Sequence, residues 1–245
     1  MFTKQKTTTI LTATLIFSSL AGCAEAQQNT APANKAEIEQ IVRAYLLENP
    51  EVIEQALVLL DEKRDRQSIV AVAKELRKDK RDFSIGAKDA KVTMVEFFDY
   101  NCSFCKQSTA WVQSVIKEYP GDVRVVFKEL PILERRTKTS RNAAKAALAA
   151  KEQGKYMEMH FALMDGTALN EKFINSAAVK IGLNMSKFKK DMAAPKLDEQ
   201  LEDAMYLASR IPGLTGTPFF VINDKFLASG NTQALQAMLD EALAE

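Results

Sequence analysis

The chain has 245 residues, of which 33 are basic and 32 are acidic, so its formal net charge is +1 at pH 7. This length suits one sizeable core with an appendage, because domains commonly have about 100–200 residues. The near-neutral charge gives no support to nucleic-acid binding or to a polybasic membrane-binding surface.

The first residues are typical of a secretory signal. Lys4 and Lys6 precede an apolar run, ILTATLIFSSL, that is too short for a bilayer-spanning helix, which needs about 20 apolar residues. We therefore assign residues 1–22 to a signal peptide and expect an exported protein.

Two processing sites compete after this run. The order Leu-Ala-Gly-Cys that ends at Cys23 resembles a bacterial lipobox, whereas AEA fits the rule for ordinary cleavage after Ala26. We favour the lipobox because its pattern is more restrictive, and we expect Cys23 to carry a lipid that tethers the protein to a membrane. The polar residues 23–34 are typical of a flexible spacer.

Residues 35–76 have the apolar spacing of amphipathic helices, and Asn49 and Pro50 supply a cap and a first-turn proline. So short a segment rarely forms its own core, so it packs either on the main domain or on further copies of itself. We favour a homo-oligomer through these helices, because the charged residues 77–90 are typical of a linker.

The main domain is expected from Lys91 to the C-terminus. Residues 91–100, KVTMVEFFDY, are apolar at successive positions, which is typical of a central strand covered on both faces. A helical pattern over residues 103–119 and a second strand pattern over residues 123–127 follow. This order predicts two parallel strands joined by a right-handed crossover.

The second half of the main domain has helical and then strand patterns. About residues 139–207 are alanine-rich with few strand signals, which indicates an inserted helical subdomain of three or more helices. Strand patterns over residues 219–222 and 226–228 and a final helical pattern over residues 232–243 then predict a β-hairpin followed by a helix. The predicted fold class is α/β.

Cys102 and Cys105 are the thiols that remain in the chain besides Cys23. The start of a helix stabilises a thiolate at Cys102, so we expect Cys102 to be the sulfur that attacks the client. Cys105 lies one turn later, at a distance that a disulfide can bridge, and we expect it to be the resolving sulfur that releases the client. A structural disulfide that closes so short a loop adds little stability. A zinc site usually needs four ligands, whereas the pair supplies two and the chain has one histidine. We therefore predict thiol-disulfide exchange through a mixed disulfide.

These patterns resemble the DsbA family of thiol-disulfide oxidoreductases, and within it the ScsC-like branch that has an N-terminal helical extension. The resemblance rests on FFDYNCSFCK, FKELPI, AAKAALAAKEQGKY and GTPFFVI, and on IVRAYLLENPEVIEQAL in the extension. It implies a thioredoxin fold with an inserted helical subdomain and an enzyme that exchanges disulfides with cysteine-containing client proteins. A location in the bacterial periplasm and a membrane redox partner are implied as well. No cofactor or resident metal is implied.

The resemblance also implies roles for three further residues. Glu96 takes the place of a buried acid that relays protons to the resolving thiol, although an edge carboxylate paired with a lysine is the alternative. Pro218 leads directly into a strand, which predicts a cis bond after Thr217, although a turn proline is the alternative. The backbone of Thr217 would then hold an extended client.

Two alternative functions stay open. Ser103 and Phe104 lie between the cysteines without the histidine found in strong oxidants, which favours a disulfide isomerase or reductase kept reduced by a membrane partner. The other alternative is a copper-binding or chaperone protein, in which the cysteine pair or Met157, Met159 and His160 hold copper(I). Those three side chains are more typical of a core.

Overall fold

The computed structural model describes residues 34–245 of the chain. The predicted signal peptide of residues 1–22, the lipidation site at Cys23 and all but the last residue of the predicted spacer lie outside the described residues. Within the described range, no helix is both long enough and apolar enough to cross a membrane.

Eleven helices and five strands make up the described residues. The helices are α1 (Lys35–Glu48), α2 (Glu51–Ala71), α3 (Ala73–Lys78), α4 (Ser103–Glu118), α5 (Glu134–Thr137), α6 (Ser140–Lys151), α7 (Tyr156–Asp165), α8 (Glu171–Lys180), α9 (Met185–Met192), α10 (Pro195–Ser209) and α11 (Thr232–Ala244). The strands are β1 (Phe83–Ile85), β2 (Val92–Phe98), β3 (Val123–Glu129), β4 (Phe219–Ile222) and β5 (Lys225–Leu227). The predicted α/β fold class is confirmed.

The chain divides into two compact units, of which the first ends at Ile53 and the second comprises residues 54–245. Helix α1 belongs to the first unit. Its start is capped by Asn34, whose Oδ1 accepts a hydrogen bond of 3.0 Å from the backbone N–H of Glu37. Large apolar side chains of α1 are exposed: Ile38, Ile41, Val42, Tyr45 and Leu47.

The second unit is built on a five-stranded sheet with the order β1-β3-β2-β4-β5. β2 and β3 are parallel, as predicted, and α4 crosses between them. β4 is antiparallel to β2 and forms the predicted hairpin with β5. Because β2 is central and buried almost throughout, the residues that follow its C-terminal end are held by neighbours on both sides.

The predicted helical insertion is present as α6 to α10. Its first helix, α6, is rich in alanines that are completely or almost completely buried: Ala143, Ala144, Ala146, Ala147, Ala149 and Ala150. Small side chains at these positions let neighbouring helices approach closely while water is excluded from the core. The alanine-rich composition thus reflects tight helix packing.

The prediction of a linker over residues 77–90 is wrong. This range contains β1, which pairs antiparallel with β3, and the Phe83 ring stacks on Tyr156 at a centroid distance of 4.3 Å. Asp82 forms a buried ion pair with Lys128. Some of the charges that suggested a solvated spacer, such as Asp82, are engaged in contacts of the fold, and a three-residue strand is too short to show a period.

The boundary predicted at residue 76 is also wrong, because the second unit begins inside α2. Ile69, Val72 and Leu76 are buried in a cluster that includes Val95 of β2 and Val221 of β4. The end of α2 and one side chain of α3, Leu76, are therefore part of the core of the second unit.

We expect Ile69 and its chain neighbour Val70 to differ in their contribution to the stability of the fold. Ile69→Ala should lower the free energy of unfolding by about 2–5 kcal/mol, since Ile69 is fully buried. Val70→Ala should change it by less than about 0.5 kcal/mol, because Val70 is exposed. Denaturant unfolding of both variants measures the difference, and equal effects would contradict the packing described for α2.

Candidate active site

The two cysteines lie where the central strand passes into a helix. β2 ends at Phe98, and the backbone N–H of Cys102 donates to the Asp99 carbonyl at 3.0 Å. Cys102 is the residue that caps the start of α4, and its carbonyl accepts the 3.1 Å hydrogen bond from the Lys106 N–H. Cys105 follows in the first turn. The predicted position of the pair at a helix N-terminus is confirmed.

The surroundings of the two sulfurs differ in a way that separates their chemistry. Hydrogen bonding from Cys105 lowers the pKa of Cys102 to about 5, with further contributions from Thr217 and from the backbone N–H groups of Cys105 and Phe104, although burial opposes the shift. Cys105 is completely buried, and burial raises its pKa far above the ordinary value for a thiol. At neutral pH the site therefore holds a thiolate on Cys102 and a proton on Cys105.

Glu96 lies on the buried central strand β2. Burial, and to a smaller degree the charge of Cys102, raises its pKa to about 8. Its Oε1 has no hydrogen-bond partner among residues 34–245, and no lysine in that range pairs with it. Glu96 is thus not an edge carboxylate, and at neutral pH it keeps a proton within electrostatic reach of both cysteines.

The peptide bond between Thr217 and Pro218 is cis, as predicted. The carbonyl oxygen of Thr217 lies 3.1 Å from the Sγ of Cys102, and β4 begins directly after Pro218. A Cβ atom added at Gly230 would lie 3.0 Å from the Phe104 carbonyl oxygen and 3.3 Å from Pro218 Cγ. A glycine therefore allows the loop before α11 to approach the site closely.

Asp99 is a buried residue between β2 and the cysteines that the sequence patterns do not predict. Its carboxylate accepts hydrogen bonds from Asn101 N at 2.8 Å, Leu133 N at 2.9 Å and Ser140 Oγ at 2.8 Å. Aspartate often accepts from the backbone two residues further on, so its position just after a strand was a usable signal. The contacts with Leu133 and Ser140 span the fold and have no local signal.

Lys106 is a second missed residue. Its Nζ donates to the carbonyl oxygens of Leu163 at 3.2 Å, Met164 at 2.7 Å and Gly166 at 2.6 Å. These carbonyls lie at the C-terminal end of α7, where a cation is favourable. Lys106 therefore fastens the helical insertion to the helix that carries both cysteines.

His160 belongs to a buried polar cluster. Its Nδ1 lies 3.1 Å from the Tyr100 Oη, and Glu129 Oε1 accepts hydrogen bonds from Tyr100 at 3.0 Å and Tyr156 at 2.8 Å. Burial lowers the pKa of His160 to about 3. Met159 beside it is fully buried, so both side chains serve the core. Within residues 34–245 no group of three or more His, Cys, Asp or Glu side chains is placed to hold a metal ion.

Two family models match the chain. A model described as Thioredoxin matches residues 78–241, and one described as Copper resistance protein ScsC N-terminal domain matches residues 34–67. Together the matches cover most of the described residues.

Solved structures resemble the chain closely. A thioredoxin-like oxidoreductase from Silicibacter pomeroyi DSS-3 is 37% identical with a TM-score of 0.64, and the match covers 70% of this chain and 98% of that one. The catalytic domain of Proteus mirabilis ScsC is 30% identical with a TM-score of 0.65, covering 74% and 99%. A periplasmic thioredoxin-like protein from Salmonella enterica serovar Typhimurium is 29% identical with a TM-score of 0.62, covering 71% and 97%.

The curated relatives that match include Na⁺/H⁺ antiporters. NhaA 1 of Mycobacterium sp. (strain KMS) is 33% identical over 151 residues, which are 59% of this chain and 24% of that protein. The chain thus spans about a quarter of the length of these relatives.

Proposed function

Since the chain belongs to the thioredoxin family and is similar there to ScsC proteins, we propose that it exchanges disulfides with client proteins through Cys102 and Cys105. The observation that carries the proposal is the contrast between the two sulfurs. Cys102 has a pKa of about 5 at the start of a helix, whereas the buried Cys105 keeps its proton. A low-pKa thiolate beside a protonated thiol is the arrangement that thiol-disulfide exchange needs.

The proposed reaction starts from the Cys102–Cys105 disulfide. A client thiolate attacks the sulfur of Cys102, a mixed disulfide forms, and Cys105 leaves with the electron pair of the broken bond. Glu96 supplies the proton that Cys105 takes up. A second client thiolate then attacks the client sulfur of the mixed disulfide and releases the Cys102 thiolate, so that the client gains a disulfide and the protein gains two electrons.

Client binding is assigned to the chain around Pro218. The Thr217 carbonyl lies beside the reacting sulfur, at 3.1 Å from Cys102 Sγ. An extended client that pairs with the backbone of Thr217 would bring its own sulfur to Cys102. Such pairing depends on main-chain groups and accepts clients of varied sequence.

A disulfide isomerase kept reduced by a membrane partner is the second candidate. The pKa of about 5 for Cys102 lies between about 3.5 for a strong oxidant and about 7 for a thioredoxin. The exposed apolar side chains of α1 favour self-association, which would place several active sites in one assembly. We place the protein in the bacterial periplasm, with a lipid anchor at Cys23.

Two assays with full-length protein test the proposal. In the first, the oxidised protein is mixed with a reduced, unfolded client, and disulfide formation in the client is followed. In the second, the reduced protein is mixed with a client that holds wrong disulfides, and recovery of the native client is followed. Activity mainly in the first assay identifies an oxidase and mainly in the second an isomerase, whereas inactivity in both would overturn the proposal.

The proposed oligomer leads to a prediction about α1. Ile41→Asp combined with Tyr45→Asp should convert the protein to monomers, because charges on an apolar contact surface are costly to bury. Both side chains are more than half exposed in the single chain, so the fold of that chain should be unaffected. Sedimentation equilibrium measures the mass, with Glu39→Gln as a control on the same helix. A wild-type protein that is already monomeric would contradict self-association.

A further inference from the structure

Three exposed cations lie on the short helix α5 and just after it. Arg135, Arg136 and Lys138 are exposed, and none of them forms an ion pair among residues 34–245. We call these three residues the basic edge. The charged residues around them are engaged, because Glu134 accepts a hydrogen bond from the Arg141 N–H at 2.8 Å and Arg141 itself pairs with acids of α10.

The basic edge is fastened to the residues that precede Cys102. Asn101, the chain neighbour of Cys102, donates through Nδ2 to the hydroxyls of Thr137 at 3.3 Å, Thr139 at 3.1 Å and Ser140 at 2.9 Å. Thr137 lies between Arg136 and Lys138 in the chain. The chain neighbours of Thr137 are thus two of the three cations. Thr137 contacts Asn101, which directly precedes Cys102.

The buried carboxylate of Asp99 also holds residues 133–140, the segment that contains the basic edge. It accepts hydrogen bonds from Leu133 N and Ser140 Oγ, one before and one after the basic edge. Both ends of the loop are thus tied to the turn that carries Cys102. The fold therefore sets the position of the backbone of the basic edge relative to Cys102.

Lys138 ends α5 in a left-handed conformation with φ of 61°, a common way for a helix to end. Its backbone N–H donates to the Glu134 carbonyl at 2.9 Å, which fixes the backbone of the basic edge at this point. A second exposed group beside the nucleophile is Phe104, whose side chain is 60% exposed on the first turn of α4.

We propose that the basic edge selects client proteins with acidic side chains within a few residues of the reacting cysteine. The inference rests on the proposed function and names the class of substrate for that site. Opposite charges accelerate the encounter of two proteins and orient them before contact. A membrane surface is a weaker fit, because lipid-binding clusters usually contain about 4–8 Lys or Arg residues and the basic edge has three.

A comparison of the reaction rates of two peptides tests the proposal. Both carry one cysteine, and three flanking positions are Glu in one peptide and Gln in the other. The oxidised full-length protein is mixed with each reduced peptide, the reaction is quenched by thiol alkylation, and the rate of disulfide loss is measured by mass. The edge variant is Arg135→Gln, Arg136→Gln and Lys138→Gln, and a variant with Lys180→Gln, Lys189→Gln and Lys190→Gln is the control of equal charge.

We define the preference as the rate with the Glu peptide divided by the rate with the Gln peptide. At low ionic strength this ratio should be about tenfold higher for the wild type than for the edge variant. The control variant should keep the wild-type preference, and 1 M salt should abolish the difference, because the Debye length is then about 3 Å. The comparison of variants cancels the intrinsic difference in reactivity between the two peptides.

Equal preferences in the wild type and the edge variant would overturn the inference and leave the proposed function intact. Failure of the wild type to react with either peptide would instead overturn the proposed function. Sedimentation with vesicles of phosphatidylcholine, with and without phosphatidylglycerol, completes the test. Because the proposed lipid at Cys23 would bind both kinds of vesicle, the quantity compared is the extra binding to vesicles that contain phosphatidylglycerol. An edge variant that loses this extra binding but keeps the peptide preference would assign the basic edge to a membrane surface and also overturn the inference.

Discussion

Replacing Cys102 by serine is expected to lower the rate of disulfide exchange with client proteins by a factor on the order of 10³ or more, since the reaction loses its nucleophile. A serine hydroxyl does not ionise near neutral pH, whereas Cys102 has a pKa of about 5. Exchange is measured as the rate of disulfide transfer to a reduced client. The fold should persist, because serine is close to cysteine in size.

Cys105→Ser should behave differently and serves as the matched variant. The reduced Cys102 thiolate can still attack a client disulfide, but no second thiol releases the product, so the mixed disulfide should accumulate. A non-reducing gel or intact mass detects it as the sum of protein and client. A trapped adduct in Cys102→Ser, or none in Cys105→Ser, would reverse or remove the assigned roles.

Glu96→Gln should raise the free energy of unfolding of the reduced protein at pH 9 by a few kcal/mol, since each unit of pKa shift corresponds to about 1.36 kcal/mol. The pKa of Glu96 is raised from 4.5 to about 8 in the folded protein. The folded state therefore binds more protons than the unfolded state between these values, and the contribution of Glu96 to stability falls as pH rises through that window. Glutamine removes this loss.

The measurement is denaturant unfolding of both reduced proteins at pH 5, 7 and 9. Cys102 has the opposite trend, because its lowered pKa stabilises the folded protein at high pH and that stabilisation is lost as pH falls towards 5. The contribution of Glu96 is therefore obtained from the difference in unfolding free energy between the wild type and Glu96→Gln at each pH. Glu118→Gln, at an exposed position of α4, is the control.

The same variant should also slow exchange at pH 7 by about 10²-fold if Glu96 relays the proton of Cys105, a usual factor for a positioned acid or base. A stability difference that is independent of pH would contradict the raised pKa. A rate unchanged from wild type would show that Glu96 is a buried acid without a catalytic role.

The parts of the site that the sequence predicts depend on local patterns and on the family resemblance. The cysteine pair follows an apolar strand and starts a helical pattern within about ten residues of the chain. The cis bond before Pro218 follows from the resemblance, because a turn proline fits the local pattern as well. The predicted parallel strands likewise follow from the order of strand, helix and strand.

The parts that were missed depend on contacts between distant residues. The charged run before the main domain was interpreted as a linker, yet Arg81 reaches both Asp79 and Asp203, which are 2 and 122 residues away. Composition alone does not distinguish charged side chains that are solvated from charged side chains that form ion pairs with each other. The link from Lys106 to the end of α7 is missed for the same reason, since its acceptors are backbone carbonyls that any sequence provides.

The most direct test of the central claim is the equilibrium of Cys102 and Cys105 with glutathione. The full-length protein is equilibrated over a series of reduced and oxidised glutathione ratios, quenched by thiol alkylation, and its redox state is read from the mass. We expect one reversible two-electron transition with a potential between about −120 and −230 mV, between those of strong oxidants and glutaredoxins. A pair that forms no reversible disulfide at any ratio would contradict the claim that this site exchanges disulfides.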